Sequence, residues 1–117
     1  MLDSRRTLEG VRRSPDSDFP VRVSAGCRPT ISWDGGAITS LSVFECGYDA
    51  KGGERWGIYS RTVQGMSSPV VYGVLPPAAA VIPNGIWTGP VVPLRTGTTY
   101  LVVLYRGGSI GSCFFRV

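Results

Sequence analysis

The sequence has no histidine, one lysine, one glutamine and three glutamates among 117 residues, and each scarcity excludes something. Without imidazole there is no Ser–His or Cys–His nucleophile pair and no side chain that titrates near neutral pH unaided. Straight-chain helix formers are few, while 16 Gly and 9 Pro interrupt any helical run longer than about two turns. No apolar run approaches the ~18 residues of a membrane-crossing helix, so membrane insertion is not expected. What remains is Val, Thr, Ser and aromatics in short runs, a mixture for strands and turns.

The net charge of +4 comes from eleven Arg and one Lys against eight acids. Arg5, Arg6, Arg12, Arg13, Arg22 and Arg28 fall in the first quarter, but Asp3, Glu9, Asp16 and Asp18 are interspersed among them. That is no polybasic arm, and no nucleic-acid partner is expected. "YRGG" at 105–108 is a single copy in a hairpin turn and carries no such signal.

Three cysteines, Cys27, Cys46 and Cys113, cannot all pair within the chain, and their spacings match no metal knuckle. Two readings stand: buried inert thiols, or one disulfide and a spare thiol in an oxidising compartment. A link in a small β domain adds about 2–4 kcal/mol, and Cys27–Cys46, which closes the shorter loop, is the preferred pair. "SAGC" at 24–27 is similar to the end of a lipoprotein signal, yet the residues before it are too polar to insert. The expectation is an extracellular or periplasmic protein whose export signal lies upstream of Met1.

Residues 1–18 are charged and lack steady alternation, and they are expected to be disordered or loosely docked. A β domain then occupies 19–117. "FPVRVSAG" suits an edge strand that tolerates Pro20. "RPTISW" puts Ile31 and Trp33 on one face, and "DGG" at 34–36 turns the chain. "ITSLSVFEC" points Leu41 and Val43 one way and Phe44 the other. "RWGIYS" points Trp56 and Ile58 inward and leaves Tyr59 opposite. Prolines 83, 90 and 93 keep the 67–93 region to short extended pieces along an edge. "TTYLVVLYR" is the clearest strand, and "SCFFRV" is the last. About seven strands with a turn every 8–12 residues predict an all-β, antiparallel two-sheet sandwich.

Leu94, the 96–98 "TGT" turn, and Tyr100 followed by Val102 and Leu104 resemble the start of the sixth strand of fibronectin type III and related immunoglobulin-like domains. "TISW" with Trp33 is similar to their second strand. The resemblance implies a tyrosine corner, in which the Tyr100 hydroxyl reaches a backbone group a few residues upstream. It also implies a non-catalytic module of a bacterial exported or cell-envelope protein, acting as spacer or protein-interaction unit. Trp33 to Tyr100 is longer than the family needs, and the surplus falls in the Pro-rich region.

Candidate chemistry is thin. Asp34, Glu45, Asp49 and Glu54 are the only acids beyond residue 18 and read as solvated carboxylates rather than a glycosidase pair. "YDAKGGE" offers too few oxygens for calcium. No enzyme activity, metal or cofactor is expected. Trp33, Tyr100 and Phe114 are assigned to the core. Trp87, in a loop between Gly and Pro, with Tyr72 or Tyr59 nearby, is the candidate to stack on a sugar or anchor a protein partner.

Overall fold

The computed structural model describes residues 17–46, 53–82, 91 and 93–117, and the backbone of 11–13. Its strands are β1 (Val11–Arg13), β2 (Val21–Val23), β3 (Thr30–Trp33), β4 (Ser40–Glu45), β5 (Glu54–Ser60), β6 (Val70–Val71), β7 (Ala79–Val81), β8 (Thr99–Arg106) and β9 (Ser109–Arg116). They form two antiparallel sheets, β1-β9-β8-β4-β5-β7 and β2-β3-β6. The protein is all-β, with nine strands among the described residues where about seven were expected. The additional pieces include β1, within the N-terminal lead-in, and β7, in the Pro-rich region.

Alternation explains the layering. Leu41 and Val43 of β4, Trp56 and Ile58 of β5, Val102 and Leu104 of β8, and Cys113 and Phe115 of β9 all turn the same way and are buried. Val21, Ile31, Trp33 and Val70 of the smaller sheet meet them, with Phe19, Ile38, Met66, Tyr72 and Leu94 filling in from loops. Burying an aliphatic or aromatic side chain of this kind is worth about 1.5–3 kcal/mol, so this layer carries most of the stability.

Two contacts close one end. Gly35, in the "DGG" turn, has φ +111°, and a Cβ there would meet the Arg106 guanidinium at 2.6 Å. Arg106 Nη1 donates to the Asp34 carbonyl at 2.8 Å, and its guanidinium stacks 3.8 Å from the Phe19 ring centre. Phe19 in turn lies over Gly111, where a Cβ would run into the ring. The β8–β9 hairpin turns through Gly107 (φ +57°) and Gly108. Strand β9 begins at Ser109, three residues before the expected last strand "SCFFRV". "TVQG" does not extend β5: it turns the chain, and Met66 then bridges to Ile38.

Phe114 is a correction to the expected core. In β9 the buried partners of β8 are Cys113 and Phe115, opposite Val102 and Tyr100. Phe114 therefore points to the outer face, half-buried, opposite Leu101.

Candidate functional site

The end of the sandwich near Tyr100 is organised by an inward-facing charge. Glu45 continues the inward series Leu41, Val43 and is 5% exposed, so the reading of it as a solvated carboxylate is corrected. A buried carboxylate needs partners. Arg55 Nε donates to Oε1 at 2.9 Å, and Arg95 Nη2 donates to Oε2. Arg55 reaches because the β4–β5 register slips between Val43 and Phe44, pairing Phe44 with Glu54 and leaving Arg55 as the additional residue of a bulge. The Arg95 N–H donates to the Tyr100 hydroxyl at 2.8 Å. That is a backbone contact five residues upstream, the geometry of a tyrosine corner. Leu94 is buried beside it.

Tyr72 is also a correction. It was a candidate loop aromatic, but it is 1% exposed and meets Trp56 edge-on with ring centres 5.3 Å apart. Burial, then the neighbouring Tyr100, pushes its phenol up to about 12, with Arg55 and Arg28 pulling the other way. Tyr72 is core and offers no stacking ring. Trp87 lies in residues 83–90, outside the described residues. Trp33 is buried, its indole N–H donating to the Gly36 carbonyl at 2.7 Å.

No disulfide joins any of the three cysteines in this structure, so the preferred Cys27–Cys46 link is not formed here. Cys27 sits in the loop leading to β3, its Sγ 3.9 Å from Thr96 Oγ1. Cys46 follows β4 in the other sheet, its N–H bonded to the Thr99 carbonyl. Burial, and then the Glu45 carboxylate, pushes the Cys46 thiol up from its ordinary value, which favours the protonated, unreactive form. Cys113 is buried in the core, its Sγ donating to the Phe114 carbonyl at 3.2 Å. Among the described residues no three His, Cys, Asp or Glu side chains gather as metal ligands.

The feature that sequence reasoning missed is the outer face of the six-stranded sheet. Strand register arranges its side chains in three rows across the strands. Phe114, Leu101 and Phe44 form the first, flanked in register by Arg12 on β1 and Glu54 on β5. Ser112, Val103, Ser42 and Gly57 form the second, and Ile110, Tyr105, Ser40 and Tyr59 the third. The middle row is small and the outer rows hold the bulk, so the face is two ridges with a trough between them. Ser112 and Ser42 are only 4% and 8% exposed on the trough floor, whereas Tyr105 and Ile110 on the third row reach 44% and 36%. The Ser112 hydroxyl is buried and has no hydrogen-bond partner. Glu54 and Ile82 close the trough at the Gly57 end.

The signal for this face was present in "YLVVLY" and "CFFR". Sheets with one solvated face alternate apolar and polar, and these strands are apolar on both. Of the expected site residues that are described, only Tyr59 lies on this face, half-buried in the third row.

No protein-family model, no curated protein and no solved structure matches the chain.

Proposed function

We propose that this chain is a non-catalytic, fibronectin type III-like module that works through protein contact, with the outer face of the six-stranded sheet as its working surface. The observation that carries the reading is that face: across β9, β8 and β4 it presents Phe114, Leu101, Phe44, Val103, Tyr105 and Ile110, with charged positions, Arg12 and Glu54, only at the two ends of its first row. A broad, mainly apolar surface suits a partner surface better than a small polar substrate. The module assignment is supported by the order β2-β3-β6 opposite β9-β8-β4-β5 and by the Tyr100 corner at the start of β8. A non-catalytic role is supported by how the acids are used. Glu45 is held by two arginines, Asp34 pairs with Arg22 at 3.0 Å, and Asp18 accepts from the Ile110 N–H. Placement in the envelope or outside the cell is part of the proposal and rests on the family resemblance.

A glycan-binding reading is kept because Tyr105 and Tyr59 flank Ser40 in one row, two strand spacings apart, or about 10 Å. An exposed ring and a half-buried one at that distance suit successive sugar units. The experiment is cross-linking in the native host followed by mass spectrometry, with affinity electrophoresis through polysaccharides beside it. The protein-contact reading expects a cross-linked protein that is lost in Tyr105→Arg. Retardation in polysaccharide gels that is lost in both Tyr59→Ala and Tyr105→Ala, with no cross-linked protein, replaces it with the glycan reading.

A further inference from the structure

We infer that the outer face of the six-stranded sheet takes a protein segment in which a lysine or arginine lies among apolar side chains, and that the Glu54 carboxylate receives that base. The inference rests on the protein-contact reading above and names the chemistry of the partner.

The state of the carboxylates is the first argument. Four lie among the described residues: Asp18, Asp34, Glu45 and Glu54. Asp18 accepts from the Ile110 N–H, Asp34 pairs with Arg22, and Glu45 is held by Arg55 and Arg95. Glu54 alone of the four makes no hydrogen bond or ion pair among the described residues, although it is half-buried. Within the single chain only solvent compensates that charge.

Placement is the second. Glu54 starts in the first row, opposite Phe44, but its carboxylate lies further along β5. A Cβ on Gly57 would run into Glu54 Oε2 and would stand 2.8 Å from Ile82 Cδ1. The side chain therefore leans from the first row into the second, about 7 Å along the strand, and rests on the glycine. A glycine inside a strand weakens it and marks a place where another group comes close. Here it makes room for the carboxylate at the end of the trough, in line with Ser42 and Val103. Phe44 holds the first-row position beside it, and Tyr59 the third-row position two residues beyond Gly57.

The cost of covering the face is the third. A partner seated on this surface takes water away from Glu54, and a carboxylate desolvated without a counter-charge is heavily penalised. An ammonium or guanidinium removes the penalty through a charge-assisted hydrogen bond. The stem of such a side chain suits the apolar trough, and aromatic neighbours favour its charged head. A partner with an acid or an uncharged group at that place is disfavoured, so one carboxylate selects among apolar surfaces. Arg12, at the other end of the first row, belongs to the edge strand β1 and so stands at the margin of the face.

Selection of a displayed library of short random peptides on the folded protein, followed by titration of the enriched peptide, tests the inference. The wild type should enrich peptides with a lysine or arginine between apolar residues, and Tyr105→Arg should release them. Glu54→Gln should weaken the enriched peptide about tenfold or more. Replacing the peptide's base by glutamine should do the same, and the two changes together should cost no more than either alone. Added salt should weaken the wild-type complex more than the Glu54→Gln complex. Glu54→Gln should also melt no lower than the wild type, because its charge has no partner within the fold.

Enriched peptides that lack a base, or that bind Glu54→Gln as tightly as the wild type, overturn the inference. If Tyr105→Arg still releases them, the protein-contact reading stands without it. If basic peptides are enriched but ignore Tyr105→Arg, the face is wrong and both readings fall. Failure to enrich any peptide overturns the inference, and so does a Glu54→Gln variant that melts well below the wild type, since the carboxylate would then have an internal partner. Self-association of the wild type that Glu54→Gln abolishes gives the base to a second copy and removes the peptide partner.

Discussion

The two sheets present different outer faces. The smaller one turns Arg22, Thr30 and Ser32 outward, with Val71 its apolar exception, and so follows the ordinary rule of apolar inside and polar outside. The larger one turns Phe44, Leu101, Val103, Tyr105, Ile110 and Phe114 outward. Both have apolar inner faces that meet in one core, so folding alone explains the inner residues and leaves the outer ones of the large sheet unexplained. The difference separates the residues that fold this chain from those available for its work.

The sharpest way to break that separation is on β8, where Leu104 faces the core and Leu101 faces outward. Leu104→Ala should cost about 2–5 kcal/mol in urea unfolding, and Leu101→Ala at least about 1 kcal/mol less. Equal losses would mean that the outer face is covered within the single chain.

High pH probes the layer beneath the small sheet. The Tyr72 phenol is raised in the folded protein from 10.0 to about 12, so the folded state favours its protonated form. Its stabilisation is complete below about pH 10 and is lost as pH rises toward 12, amounting to about 2–3 kcal/mol. Alkaline melts should decline over that window, and Tyr72→Phe should flatten the decline. A decline of the same size in Tyr72→Phe would place its cause elsewhere.

Glu45 sharpens the comparison at the end of the sandwich, where a charge lies on the inner face. Glu45→Ala should cost about 1–3 kcal/mol, below the figure for a fully buried pair because Arg55 and Arg95 are partly in water. Tyr100→Phe should cost about 1 kcal/mol, since the Arg95 N–H loses its acceptor. The smallest effect belongs to the polar face. Hydrogen bonding to Arg22 holds the Asp34 carboxyl below its ordinary value, but both groups stand in water, and Arg22→Ala should leave the unfolding midpoint where it was. A resolvable shift there would show that the two outer faces share the work of folding.

Much of this architecture was legible in period-2 alternation. "TISW", "SLSVFE" and "YLVVLY" place Ile31, Trp33, Leu41, Val43, Val102 and Leu104 inward, as the structure does. Tyr100 and Leu94 were legible because a corner needs a hydroxyl at fixed spacing from a turn. Phe114 was misplaced because "CFF" sets two rings side by side, and only register with β8 decides which of them faces in. Glu45 was misread because its burial depends on a bulge that brings Arg55 across from the neighbouring strand and on Arg95 fifty positions away. Tyr72 was taken for a loop residue because it follows the two-residue β6, too short to show a period. The three-row face escaped because rows run across strands, and no single strand contains one.

The most direct test is a paramagnetic-probe experiment on methyl-labelled protein in dilute solution. A soluble nitroxide or gadolinium chelate should broaden the methyl signals of Leu101 and Val103 and spare those of Val102 and Leu104 on the same strand. Sparing all four would contradict the account, since the outer face would then be covered. Broadening all four would contradict it as well, because the inner layer would not be closed.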